Sequence, residues 1–157
     1  MEVTAAASIE IAKPIDSVFD YAVTSENIPR VFVGYGPIPA VVSATVRGDG
    51  VMREGATRTI ENSDGSVIDE AIIAFVRPTR QAYRLPGGFK KPFSFLVRSA
   101  EGNWAFSSTP SGGTRIDWDF RFELTSPIAQ PFGWLLMRLF FQKAMVRCLE
   151  RLKDQVS

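Results

Sequence analysis

A chain of 157 residues, 45% hydrophobic and 22% charged, is long enough to bury the core of one globular domain and carries no disordered or fibrous composition. Its net charge of +1, with 18 Lys and Arg scattered along the sequence, gives no reason to expect nucleic acid or an acidic partner. With no histidine and one cysteine, Cys148, it excludes imidazole metal sites, Ser-His or Cys-His nucleophiles and an internal disulfide.

Elements follow in chain order. VTAAASIEIAK alternates, with Ala5, Ala7, Ile9 and Ile11 on one side, and predicts a first strand; no basic region and apolar run stand before it to make a signal peptide. The period then changes: Pro14 suits a first helical turn, and Ile15, Val18, Phe19 and Ala22 fall at helical spacing. Ser25 can cap a second short helix through SENIPRVF, which Pro29 keeps short.

Residues 40–125 read as a run of strands. AVVSATVRG comes first, then EGATRTIEN and SVIDEAIIAFV joined at Ser63-Asp64-Gly65, where Gly65 suits the left-handed position of a three-residue loop. QAYRL, FSFLVR, NWAFSST and TRIDWDFRFEL follow. The last alternates strictly, with Ile116, Trp118, Phe120, Phe122 and Leu124 opposite Arg115, Asp117, Asp119, Arg121 and Glu123. One buried and one wet face is the mark of an antiparallel sheet, and the charged row is read as a solvated outer face.

Residues 130–155 predict one long helix. Its second half is amphipathic, with Met145, Cys148, Leu149 and Leu152 opposite Lys143, Arg147, Glu150 and Lys153, so Cys148 reads as a small core residue. Its first half, FGWLLMRLFF, is apolar on all sides except Arg138. Spanning a bilayer takes about 20 apolar residues, so no transmembrane segment is expected. Phe132, Leu135, Leu136 and Leu139 are expected to face the sheet or a cavity, with Arg138 on the solvent side. Phe132, Trp134 and Phe141 are candidates for a membrane or partner contact, Trp134 and Phe141 in particular for a homodimer contact.

This order resembles the helix-grip fold of the START/Bet v 1-like (SRPBCC) superfamily, in its polyketide cyclase/dehydrase or lipid-transport-like branch. The stretches that carry the resemblance are IEIAKPIDSVFDYAVTSENIPRVF, GATRTIENSDGSVIDEAI, QAYRL, GGTRIDWDFRFEL and LERLKD, spread over nearly the whole chain. The resemblance implies a single α+β domain over residues 1–157, with a curved antiparallel sheet of about six to seven strands wrapped around a long C-terminal helix, two short helices after the first strand, and an internal cavity. It is poorly specific for function, because related folds carry lipids, sense hormones or catalyse cyclisation.

Strand register sharpens the reading. A loop at 63–65 pairs Asn62 with Ser66 and places Arg58 across from Glu70, on a face with Ala56, Ile60, Ile68, Ile72 and Val76. A hairpin closing over 77–80 pairs Val76 with Gln81 and Ala74 with Tyr83, bringing Tyr83 to the same side; a loop at 111–113 pairs Phe106 with Trp118 and Trp104 with Phe120. The inward face is then aromatic and aliphatic with one polar cluster, Arg58, Glu70 and Tyr83. An inward Arg and Glu must pair. The pair is either a structural ion pair or the polar end of an apolar pocket. In an enzyme Tyr83 or Glu70 would move the proton and Arg58 would steady an enolate.

The expected ligand contacts are Arg58, Glu70, Ile72, Tyr83, Phe89, Trp104, Phe106, Trp118, Phe120, Leu136 and Leu139, with LPGGFKKPF (85–93) as a loop or a rim over the cavity mouth. The favoured expectation is a cytoplasmic carrier or sensor of a hydrophobic small molecule (lipid, polyketide or isoprenoid-like) that needs no metal or cofactor. A cofactor-independent cyclase/dehydratase and a peripheral-membrane or partner-docking module are the alternatives.

Overall fold

The computed structural model describes all 157 residues. Strand β1 (Glu2–Ile11) leads into helix α1 (Ile15–Val23), a single 3-10 turn (Ser25–Asn27) and the short helix α2 (Ile28–Val31). Pro14 stands just before α1, where its missing N–H costs nothing. Ser25 does not cap α2: its hydroxyl is buried without a partner, and Pro29 lies in the first turn.

The sheet continues with β2 (Val41–Val46), β3 (Thr57–Asn62), β4 (Val67–Val76), β5 (Arg80–Leu85), β6 (Val97–Ser108) and β7 (Thr114–Leu124). Its order is β1-β7-β6-β5-β4-β3-β2, fully antiparallel, with the N-terminal strand closing on the last. FSFLVR and NWAFSST are not two strands. Phe93–Leu96 form a one-turn helix, α3, and Val97–Ser108 one long strand.

The C-terminal segment is continuous: α4 (Gln130–Leu136), a π turn (Met137–Phe141) and α5 (Gln142–Val156). Its inward residues Ala129, Gly133, Met137 and Phe141 are four apart. A regular α-helix of 3.6 residues per turn would carry such a row steadily around its axis, and the wide turn absorbs the drift. Gly133 lets α4 lie against Leu124 of β7; a Cβ there would meet Leu124 Cδ2 at 2.8 Å. A core of 27 buried residues joins sheet and helices, with Phe19 of α1 edge-on to Phe106 at 5.0 Å. The charged row on β7 does face outward, pairing Arg115 with Asp117 and Arg121 with Glu101.

Two expected registers are corrected. Val76 pairs with Arg80 and Ala74 with Ala82, one residue tighter than expected, and Val76 is exposed rather than inward. A bulge between Ile72 and Ala74 adds a second residue of shift, so Tyr83 pairs with Ile72 instead of Ala74 and still shares a face with Glu70. At β6–β7 the loop is longer than three residues: Ser108 pairs with Thr114, hence Trp104 with Trp118 and Gly102 with Phe120. That slip is of two residues, which leaves every side chain on its expected face.

The greasy helix also differs. Phe132, Trp134, Leu135 and Leu139 are exposed, whereas Met137 and Phe141 are buried. Phe141 lies 4.5 Å from Phe120 and 4.9 Å from Phe122 by ring centroids, so it is core and no surface contact. Leu136 is half-buried against the core. No helix is long and apolar enough to cross a membrane.

Candidate functional site: a cavity between sheet and helix

The hairpin that places Arg58 across from Glu70 is local. Asn62 N–H donates to Ser66 C=O at 2.9 Å, Gly65 takes φ +84°, and the Asp64 side chain accepts from the Ser66 N–H at 2.9 Å. Arg58 and Glu70 then meet on the concave face, each 4% exposed. Arg58 donates to one carboxylate oxygen twice, Nε–Oε1 3.0 Å and Nη2–Oε1 2.5 Å. Its Nη1 has no partner.

Gln81 stands two residues before Tyr83 on β5 and faces the same way; its Nε2 is likewise buried without a partner, as is Trp118 Nε1 on β7. All three donors border one cavity of about 180 Å³ between the sheet, α2, the segment around Phe89–Phe93 and α5. The rest of its wall is largely apolar, with Ile60, Ile68, Trp104, Phe122 and Phe141 among the contributors. The cavity thus has a largely apolar wall bordered by three residues with buried, unpartnered N–H donors.

Burial pushes the Glu70 carboxyl above its ordinary pKa, while the Arg58 charge and hydrogen bonds act the other way. The Tyr83 phenol is pushed well up, first by burial and then by the Glu70 carboxylate, with the indole N–H groups of Trp104 and Trp118 beside it opposing. Tyr83 is therefore a neutral hydroxyl at any physiological pH. Its ring lies over Gly102 of β6, its strand neighbour: a methyl there would come within 2.7 Å of Tyr83 Cε2.

Of the residues expected to contact ligand, Arg58, Glu70, Tyr83, Phe89, Trp104, Trp118 and Phe120 line the cavity. Four lie outside its lining. Ile72 is buried at the bulge, Phe106 packs on Phe19, Leu136 packs against the core, and Leu139 is exposed because the π turn rotates it outward. Sequence reasoning left out Gln81 and Phe141. Gln81 was discoverable from its two-residue spacing to Tyr83, whereas Phe141 reaches the cavity only through the π turn. Phe89, Lys90 and Phe93 border the cavity.

A curved antiparallel sheet gripping a long helix over an apolar cavity is the architecture of helix-grip ligand-binding proteins. Residues 2–157 match the model of the family described as polyketide cyclase/dehydrase and lipid transport, and the chain belongs to that family. Among solved structures it is similar to Ara h 8.0201 (16% identity, TM-score 0.71, 99% of this chain and 98% of that one). It is also similar to a START superfamily protein from Mycobacterium smegmatis (13%, TM-score 0.73, 98% and 99%). A third is the di-domain ARO/CYC BexL from the BE-7585A biosynthetic pathway (18%, TM-score 0.71), of which this chain covers 50% while 99% of its own length aligns. At such identities the likeness is one of fold. No curated protein matches the sequence.

Proposed function

We propose that the protein binds a small, mostly apolar molecule carrying a neutral hydrogen-bond acceptor, such as a ketone, quinone or lactone oxygen. The observation that carries this reading is the set of buried, unpartnered donors, Arg58 Nη1, Gln81 Nε2 and Trp118 Nε1, on residues that line a largely apolar cavity. An unsatisfied buried donor costs about 1–3 kcal/mol, which an acceptor placed among them recovers. A carboxylate is disfavoured there, since the Arg58 charge is already matched by Glu70 and a second anion would face the first. A cavity near 180 Å³ suits one or two fused rings or a short chain, given that benzene occupies an engineered apolar cavity of about 150 Å³ elsewhere.

Binding of 2-acetonaphthone, 2-ethylnaphthalene and 2-naphthoate, followed by calorimetry, tests this. The ketone should bind about tenfold more tightly than the hydrocarbon and more tightly than the acid. Gln81→Leu should shrink that preference. Equal affinities, or no binding by any of the three, would sink the proposal.

A second reading, a cyclase or dehydratase, is supported by Glu70, a carboxyl in the cavity lining that burial pushes above its ordinary pKa. It requires turnover of a polyketide-like ketone that is lost in the Glu70→Gln, Tyr83→Phe double variant while binding persists. Unchanged binding without turnover in the parent protein leaves the carrier reading alone.

A further inference from the structure

Along α4 and the π turn, the face of the C-terminal segment turned away from the core is largely apolar as well. Ile128, Phe132, Leu135 and Leu139 follow one another at spacings of four, three and four, which sets them in a single stripe, and they are 80%, 58%, 45% and 47% exposed. Trp134, 51% exposed, flanks the stripe, with Arg138 stacked over its ring at 5.5 Å. Helix α3 packs beside α4 and adds Phe95, 62% exposed, with Lys91 over its ring at 5.4 Å. Isolated exposed apolar residues need no explanation, but a continuous stripe ringed by basic side chains does.

Charge identifies what covers it. Residues 86–98 and 125–149, which build this side of the molecule, contain six of the 18 basic residues, Lys90, Lys91, Arg98, Arg138, Lys143 and Arg147, and none of the 17 acidic ones. All six are exposed, and only Arg98 is held in an ion pair, with Glu123 at 3.5 Å. Lys91 and Arg138 lie over rings of this face, while Lys143 reaches over Tyr35, 5.6 Å from its ring. Apolar and aromatic side chains with long cations beside them match the boundary of an anionic bilayer, where rings enter the acyl region and ammonium and guanidinium groups meet lipid phosphates.

We propose that the α3–α4 face seats the protein on anionic membranes. Phe89, Lys90 and Phe93, which border the cavity, belong to the same segment as Lys91 and Phe95, so a protein seated this way holds that part of the cavity wall beside the lipid. Loading of the cavity from the bilayer rests on the ligand-binding reading above; attachment to the membrane does not.

Flotation of the full chain with vesicles of phosphatidylcholine alone or mixed with phosphatidylglycerol tests the attachment without any cavity ligand. Binding to the anionic vesicles only is expected, with a blue shift of Trp134 emission. Phe132→Ser with Leu135→Ser should abolish it, and Lys91→Glu with Arg138→Glu should weaken it by about tenfold or more. Both variants should keep parental far-UV circular dichroism and 2-acetonaphthone affinity. No flotation, or equal binding to both vesicle types, overturns the proposal. So does concentration-dependent self-association that the Phe132→Ser, Leu135→Ser variant removes, which would make the stripe an interface between copies.

Discussion

Tyr83 shows how much one burial decides. Its hydroxyl sits under the sheet among Trp104, Trp118 and Glu70, so ionising it would place an anion in a dry site beside another. The unfolded chain releases that proton near pH 10, while the folded chain holds it to higher pH. Stability owed to this group is therefore complete below pH 10 and lost as the pH rises above it. The parent protein should lose up to about 1.4 kcal/mol per pH unit there in excess of Tyr83→Phe. Urea midpoints of the two proteins between roughly pH 9 and pH 11 check this. Parallel curves would mean the phenol is not held neutral. Arg58 and Glu70 are the other residue-scale lesson. Their pairing was legible in the sequence because the three-residue loop that sets it lies only a few residues away.

At the scale of elements, the site depends on where strands lack or add something. Gly102 is an ordinary strand residue by backbone, and what it contributes is absence: the Tyr83 ring occupies the space a side chain would fill. Gly102→Ala should cost about 1–3 kcal/mol in urea denaturation and alter the near-ultraviolet dichroism of the aromatic cluster. A neutral substitution would show that the ring is free to move off. The bulge between Ile72 and Ala74 adds a second residue of shift to the one at the β4–β5 turn, and a shift of two returns Tyr83 to the Glu70 face. It turns Phe75 towards Phe19, 5.5 Å away, and leaves Val76 in solvent. Alternation alone cannot reveal a bulge, since it assumes the period never slips.

For the whole molecule, the test is whether sheet and helix open together. Cys148 lies on the buried face of α5 at 3% exposure, and burial pushes its thiol well above the ordinary range. Labelling in native buffer should run about a thousandfold or more slower than for an unfolded control and should track global stability in urea. Cys148 also borders the cavity. Fast labelling that 2-acetonaphthone suppresses would instead show entry through the mouth.

Two-residue alternation, turn residues and helical spacing are local, so the sequence alone sets the general order of elements, the wet and dry faces of β7 and the Arg58–Glu70 pair, whereas Tyr83 reaches the inward face through a turn and a bulge whose one-residue shifts together preserve its side. The sequence also determined the amphipathic second half of the terminal helix. The tertiary structure alone decided which face of FGWLLMRLFF is covered. A stretch apolar on every side carries no periodic signal, and only packing of Gly133 on Leu124 and the π turn chooses Met137 and Phe141 for the core. The same choice leaves Phe132, Leu135 and Leu139 outside among basic groups from two distant segments, a surface that no single stretch of the chain contains.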